Sequence, residues 1–166
     1  MASGDSLCYV SALMNEPPSS NYAKFDTRNS VPVLDFDDTT DQTAEFGLLM
    51  PRHYGGGGVT VTVGWAATTA TTGTISLDVA FKSISDDADD LDTKAYAAAN
   101  NANPTTASVS GEVDYATITF TDGADMDSVA AGEYFRLKVT RDADGTTSTD
   151  NMTGDMELVF VEVRET

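Results

Sequence analysis

The sequence predicts an antiparallel all-β sandwich, an eight-stranded jelly roll, preceded by an extended N-terminal arm. Two observations point there. From residue 31 onward apolar side chains recur with a period of two, as where Val59, Val61, Val63 and Trp65 alternate with Thr60, Thr62, Gly64 and Ala66, the pattern of a strand with one buried face. Clusters of Gly, Asp, Asn, Ser and Thr separate these stretches, and a 3.6-residue period is almost absent. The 166 residues suit one domain plus an arm. A chain of this size buries roughly 70% of its unfolded surface, enough for a core without disulfides or a metal.

Residues 1–30 form the expected arm and 31–166 the sandwich. The arm mixes Pro17-Pro18, Ser19, Ser20, Asn21 and Asn29 with isolated apolar residues in no period. Its large side chains, Tyr9, Leu13, Tyr22 and Phe25, are the expected anchors on a partner. Strands are predicted over 33–36, 44–50, 59–66 and 74–82, the last pair joined as a hairpin by the small-residue turn 68–73. An acidic connection, 86–92, follows. The stretch 94–100 is a helical turn or an irregular loop, stopped by Asn100-Asn101-Ala102-Asn103-Pro104. Strands resume over 107–113, 116–120, 134–140 and 156–164. Leu158-Val159-Phe160-Val161 is apolar on both sides, so the last strand is central or meets a partner. The expected core includes Val61, Trp65, Leu77, Phe81, Leu137 and Phe160. The strand number, with no Cys…Trp…Cys spacing, favours a jelly roll over an immunoglobulin-like fold.

Charge limits the partners. Nine Lys and Arg stand against 27 Asp and Glu, a formal charge of −18. Such a field repels nucleic-acid phosphate and anionic lipid, and no two basic residues are adjacent, so neither nucleic acid nor membrane is an expected partner. No apolar run approaches the roughly 18 residues of a membrane span, and residues 1–9 show no secretory leader. The single Cys8 and single His53 exclude a disulfide framework, a Cys-based zinc site and a two-His metal site.

Local constellations point to binding rather than chemistry. Pro51-Arg52-His53-Tyr54 runs into Gly55-Gly56-Gly57-Gly58, but a strand follows and no helix N-terminus cradles a phosphate, so this is a corner with an exposed histidine. Asp86 to Asp92 and Asp142 to Asp150 supply clustered oxygens, yet neither fits a calcium-loop frame. No Gly-x-Ser-x-Gly elbow is present and no carboxylate pair stands out. No catalytic residue, metal or cofactor is predicted. Trp65, Tyr54, Tyr96, Tyr115 and Tyr134 offer ring faces for a sugar. Trp65 belongs to the core stripe, while Tyr54 and Tyr96 lie in loops and are the expected glycan contacts.

Leu34-Asp35-Phe36-Asp37, Phe46, Met50-Pro51 and Tyr54-Gly55-Gly56-Gly57-Gly58-Val59-Thr60-Val61 resemble small β-sandwich proteins of tailed-phage structural modules. Trp65-Ala66-Ala67-Thr68, Thr72-Gly73-Thr74-Ile75, Phe120-Thr121-Asp122-Gly123, Gly132-Glu133-Tyr134-Phe135-Arg136-Leu137 and Arg141-Asp142 extend that resemblance over 31–165. It implies a capsid decoration (cement) protein on the outer virion surface, a homotrimer bridging capsomers and bound to the major capsid protein. A fibre domain of the same fold, recognising host-surface glycan, is the alternative.

Overall fold

A computed structural model describes residues 4–166. Ten strands form two antiparallel sheets: β1 (Ser6–Ser11), β2 (Lys24–Arg28), β3 (Val31–Phe36), β4 (Gln42–Leu49), β5 (Val59–Ala67), β6 (Leu77–Ile84), β7 (Asn100–Ala102), β8 (Asp114–Phe120), β9 (Tyr134–Arg141) and β10 (Met156–Glu165). One sheet has the order β2-β3-β10-β5-β8, with β1 also on β10, and the other is β4-β9-β6-β7. Together they make the expected β-sandwich.

Alternation builds the core. Val59, Val61, Val63 and Trp65 of β5 face Leu77, Val79 and Phe81 of β6 and Leu137 and Val139 of β9 inside one buried cluster. Phe81 meets Phe120 of the opposite sheet edge-on, with ring centroids 4.8 Å apart, and stacks on Phe135 at 5.5 Å. Such pairs add specificity to the burial of large apolar area. Burying Arg141 fully at the end of β9 costs desolvation, which its bonds offset. Its guanidinium donates twice to Asp150 at 2.9 Å, and to the carbonyls of Met152 at 2.8 Å and Gly154 at 2.9 Å. That set pins the polar loop between β9 and β10.

The structure departs from the sequence expectation in three places. First, the expected arm supplies two strands to the sandwich: β1 pairs with β10 and β2 with β3. The first three residues of that arm lie outside the described residues. Second, 107–113 is not a strand but a turn that approaches β5 through the Gly111 N–H and the Ala67 carbonyl, 3.0 Å apart. Val109 and Val113 are exposed there, an alternation with no core beneath it. Third, the strands expected as a hairpin across 68–73 do not pair: β5 lies between β10 and β8 in one sheet, and β6 lies between β9 and β7 in the other. The stretch 94–99 takes the irregular-loop alternative and runs beside β6, the Ala97 N–H donating to the Phe81 carbonyl at 2.8 Å.

The last strand is central, as expected, but irregular. Leu158 pairs with Trp65 and Phe160 with Gly64, so Val159 is an extra residue. A bulge of this kind re-aims the side chains beyond it. Leu158 and Val161 therefore both point inward, and Phe160, expected in the core, is turned to the outer face and half-buried.

Candidate functional site

The outer face of the six-stranded sheet has a floor of small residues, Thr60, Thr62, Gly64 and Ala66 of β5, because alternation sends their neighbours inward. Register places Phe160 beside Gly64, Gly64 beside Tyr115, and Tyr9 beside Glu162 on the next strand. Phe160 lies on Gly64, where any Cβ would be driven into its ring. Tyr9 stacks on Phe160 with centroids 6.0 Å apart and planes 25° apart. Tyr115 stands across Phe160 at 5.3 Å and 81°. Tyr9 is 62% exposed and Tyr115 64%. Three rings from three strands thus form one exposed cluster, flanked by the Glu162 carboxylate, to which the Ser6 hydroxyl donates.

The same face continues into a groove of about 320 Å³ lined by Val31, Val33, Ala66, Val113 and Val159. Its polar end is the ion pair of Arg28 with the buried Glu157, 2.6 Å apart. Asp35 sits opposite Glu157 in the sheet. Burial pushes its carboxyl up to about 6, and the charges of Glu157, Asp26 and Asp155 add to the shift. One Asp35 oxygen, Oδ1, is buried without a hydrogen-bond partner.

The expected glycan contacts fall elsewhere. Tyr54 is only 8% exposed. Its hydroxyl donates to Asp122 and accepts from the Gly58 N–H, both at 3.1 Å, and burial raises it to about 12. It is a strut under the glycine corner, where Gly58 takes a φ of 87°, and it offers no ring face. Tyr96 reaches over the outer face of the four-stranded sheet. Its hydroxyl donates to Glu45 Oε2 at 2.7 Å, and the Lys82 and Lys138 ammoniums sit 4.5 and 4.6 Å from its ring centroid. Of the arm residues, Tyr9 joins the ring cluster, while Leu13, Tyr22 and Phe25 line a separate exposed apolar groove with Ala12, Pro17 and Leu34.

The acidic stretches are engaged locally. Asp89 pairs with Lys94, which also holds Asp127. Asp150 belongs to Arg141. Asp142, Asp144 and the distant Asp41 bring carboxylate oxygens within 4.8 Å of one another. Burial works to raise Asp142, but hydrogen bonds from the Thr147 N–H, Ser76 and Thr146 outweigh it and hold the group at about 2. Cys8 is half-buried against the Leu49 carbonyl, and burial pushes its thiol up to about 11, so little of the reactive thiolate forms near neutral pH.

No protein-family model and no curated protein matches the chain. Solved structures do. The chain is similar to the CBM22-2 xylan-binding domain of Paenibacillus barcinonensis Xyn10C, with 11% identity, a TM-score of 0.50 and 92% of each chain covered. It is also similar to part of an exo-beta-1,3-galactanase from Phanerochaete chrysosporium, with 8% identity and a TM-score of 0.53 over 96% of this chain. It spans only 29% of that enzyme's chain. What is shared is the fold. The capsid role implied by the sequence resemblance draws no support from these structures.

Sequence reasoning counted Tyr115 among the possible ring faces but did not single it out. The signal was the position of Tyr115, Thr117 and Thr119 opposite the inward Ala116, Ile118 and Phe120. The bulge that delivers Phe160 to the same face leaves no mark in the hydrophobic pattern.

Proposed function

We propose that this chain is a carbohydrate-binding module, a β-sandwich that holds a glycan across the outer face of the six-stranded sheet and does no chemistry on it. The observation that carries this reading is the exposed cluster of Tyr9, Phe160 and Tyr115. Rings present an apolar face to the C–H side of a sugar, while nearby hydroxyls and a carboxylate take its OH groups. Tyr9, Tyr115 and Glu162 supply both kinds of contact. Clustered rings left in water mark an interaction site more than a fold requirement. Support also comes from the two fold relatives, one a xylan-binding domain and the other a galactanase in complex with beta-1,3-galactotriose.

A glycan array probed with the chain and its Tyr9→Ala and Tyr115→Ala variants tests this. The expected result is binding to one class of oligosaccharide, weakened about tenfold or more in each variant, as losing a stacked ring implies. The β circular-dichroism spectrum should not change, since both side chains stand outside the core. Silence across the array, or binding that ignores both substitutions, would overturn the reading. Binding to capsid shells through the same rings would instead make this face a shell contact. The major capsid partner, the homotrimer and the virion surface location belong to that outcome.

A further inference from the structure

The outer face of the four-stranded sheet gathers Lys82 on β6 with Lys138 and Arg136 on β9, three of the chain's nine basic residues, at adjacent ladder positions. The three are held differently. Arg136 pairs with Glu16 and with Glu45, the latter at 3.1 Å, and so is neutralised. Among the described residues the basic groups in ion pairs are Arg28, Lys94, Arg136 and Arg141, and Lys82 and Lys138 are not among them. Both rest over the Tyr96 ring instead, at 4.5 and 4.6 Å. A carboxylate cancels the charge it holds. A ring quadrupole steadies an ammonium yet leaves its charge and its outward N–H donors in place.

The acids nearby are already occupied. Glu45 accepts from both Tyr96 and Arg136, and Asp78 accepts from Asn101 at 2.7 Å and Thr147 at 3.1 Å. At physiological ionic strength, charges more than about 8 Å away are largely screened, so an anion in contact with the two ammoniums feels them more than the chain's overall charge. Tyr96 is itself fixed, with its hydroxyl on Glu45 and its loop tied to β6 through Ala97 and the Phe81 carbonyl. The two ammoniums are therefore set in place before any ligand arrives.

We propose that this face is a second binding site, one that takes the carboxylate or sulfate of an anionic glycan on Lys82 and Lys138. The proposal rests on the carbohydrate reading for its class of ligand, but it uses different residues on the opposite side of the sandwich.

Calorimetric titration at about 0.15 M salt, where the chain's distant charges are screened, with oligogalacturonate, its methyl ester and a sulfated carrageenan oligosaccharide tests it and separates the two anions. At least one anionic oligomer should bind about tenfold or more tighter than the uncharged ester, as two charge-assisted contacts imply. That preference should vanish in the Lys82→Gln/Lys138→Gln double variant and fade as salt is raised. It should survive in Tyr115→Ala. Affinity of both anionic oligomers no higher than that of the ester, a double variant that binds like the parent chain, or loss of anion binding in Tyr115→Ala would each overturn the proposal. So would neutral glycans binding at the ring cluster while no anionic oligomer binds, a result that leaves the ring face standing. A chain that takes the anionic oligomer through the lysines but no glycan through the rings would retain this site and remove the other.

Discussion

The six-stranded sheet turns Tyr9, Phe160 and Tyr115 outward at positions that strand alternation ordinarily gives to polar residues, whereas the four-stranded sheet fills its outward positions with Glu45, Arg136, Lys138 and Lys82. Inside, the two sheets are alike, lined by Val, Leu, Phe and Trp in one cluster. The fold thus constrains only the inner faces. What each sheet can bind is decided by the outward residues, and the difference becomes largest where β10 breaks its own alternation at Val159.

The largest effect is expected where both faces depend on the same support. Trp65→Ala should lower unfolding free energy by about 3–5 kcal/mol, the range for truncating a fully buried ring, and Trp65 is 1% exposed. Chemical denaturation would measure it, and ligand binding at the two faces should weaken together as the folded population falls. A stable variant in which one face alone fails would show that the faces do not share a core.

Gly64→Val should separate them. Its side chain must displace the Phe160 ring, which lies on Gly64, at a cost of about 1–3 kcal/mol for overpacking. Binding at the ring cluster should be lost while binding at Lys82 and Lys138 is kept. Parent-like binding at the rings would mean that Phe160 is not part of the site.

The smallest effect concerns Asp35 at the edge of the groove. Its folded-state value of about 6 lies above the roughly 3.9 of an unfolded chain. The folded state therefore holds the proton more tightly, and stability falls as pH rises from about 4 to about 6. Asp35→Asn should remove that slope and add about 1 kcal/mol at pH 7, a shift discounted for solvent screening. Thermal melts of both proteins across this pH window check the sign. A slope that persists in Asp35→Asn would place its origin elsewhere, with Asp155, which burial also raises, the next group to replace.

Much of the fold was legible because the period-two stretches in β5, β6, β8 and β9 each have one fully buried face. The strands that were missed lack such a face. Every residue of β2 is exposed or half-buried at the sheet edge, and only Val10 of β1 is buried. The site was less legible. Tyr54 reads as an open loop residue because nothing local predicts that Asp122 and Gly58, both reached through the fold, will enclose its hydroxyl. Tyr9 was singled out as an exposed anchor, and its ring is exposed, but its neighbours Phe160 and Tyr115 come from strands far along the chain. Their meeting depends on register and on one bulge, which hydrophobic periodicity does not encode.

Amide chemical-shift mapping during titration with the tightest-binding array glycan locates the bound sugar most directly. Shifts should centre on Tyr9, Gly64, Tyr115 and Phe160, with the Tyr54 corner silent. Shifts centred on the glycine corner at 54–58, or on the Leu13, Tyr22 and Phe25 groove, with the ring cluster unmoved, would contradict glycan binding there.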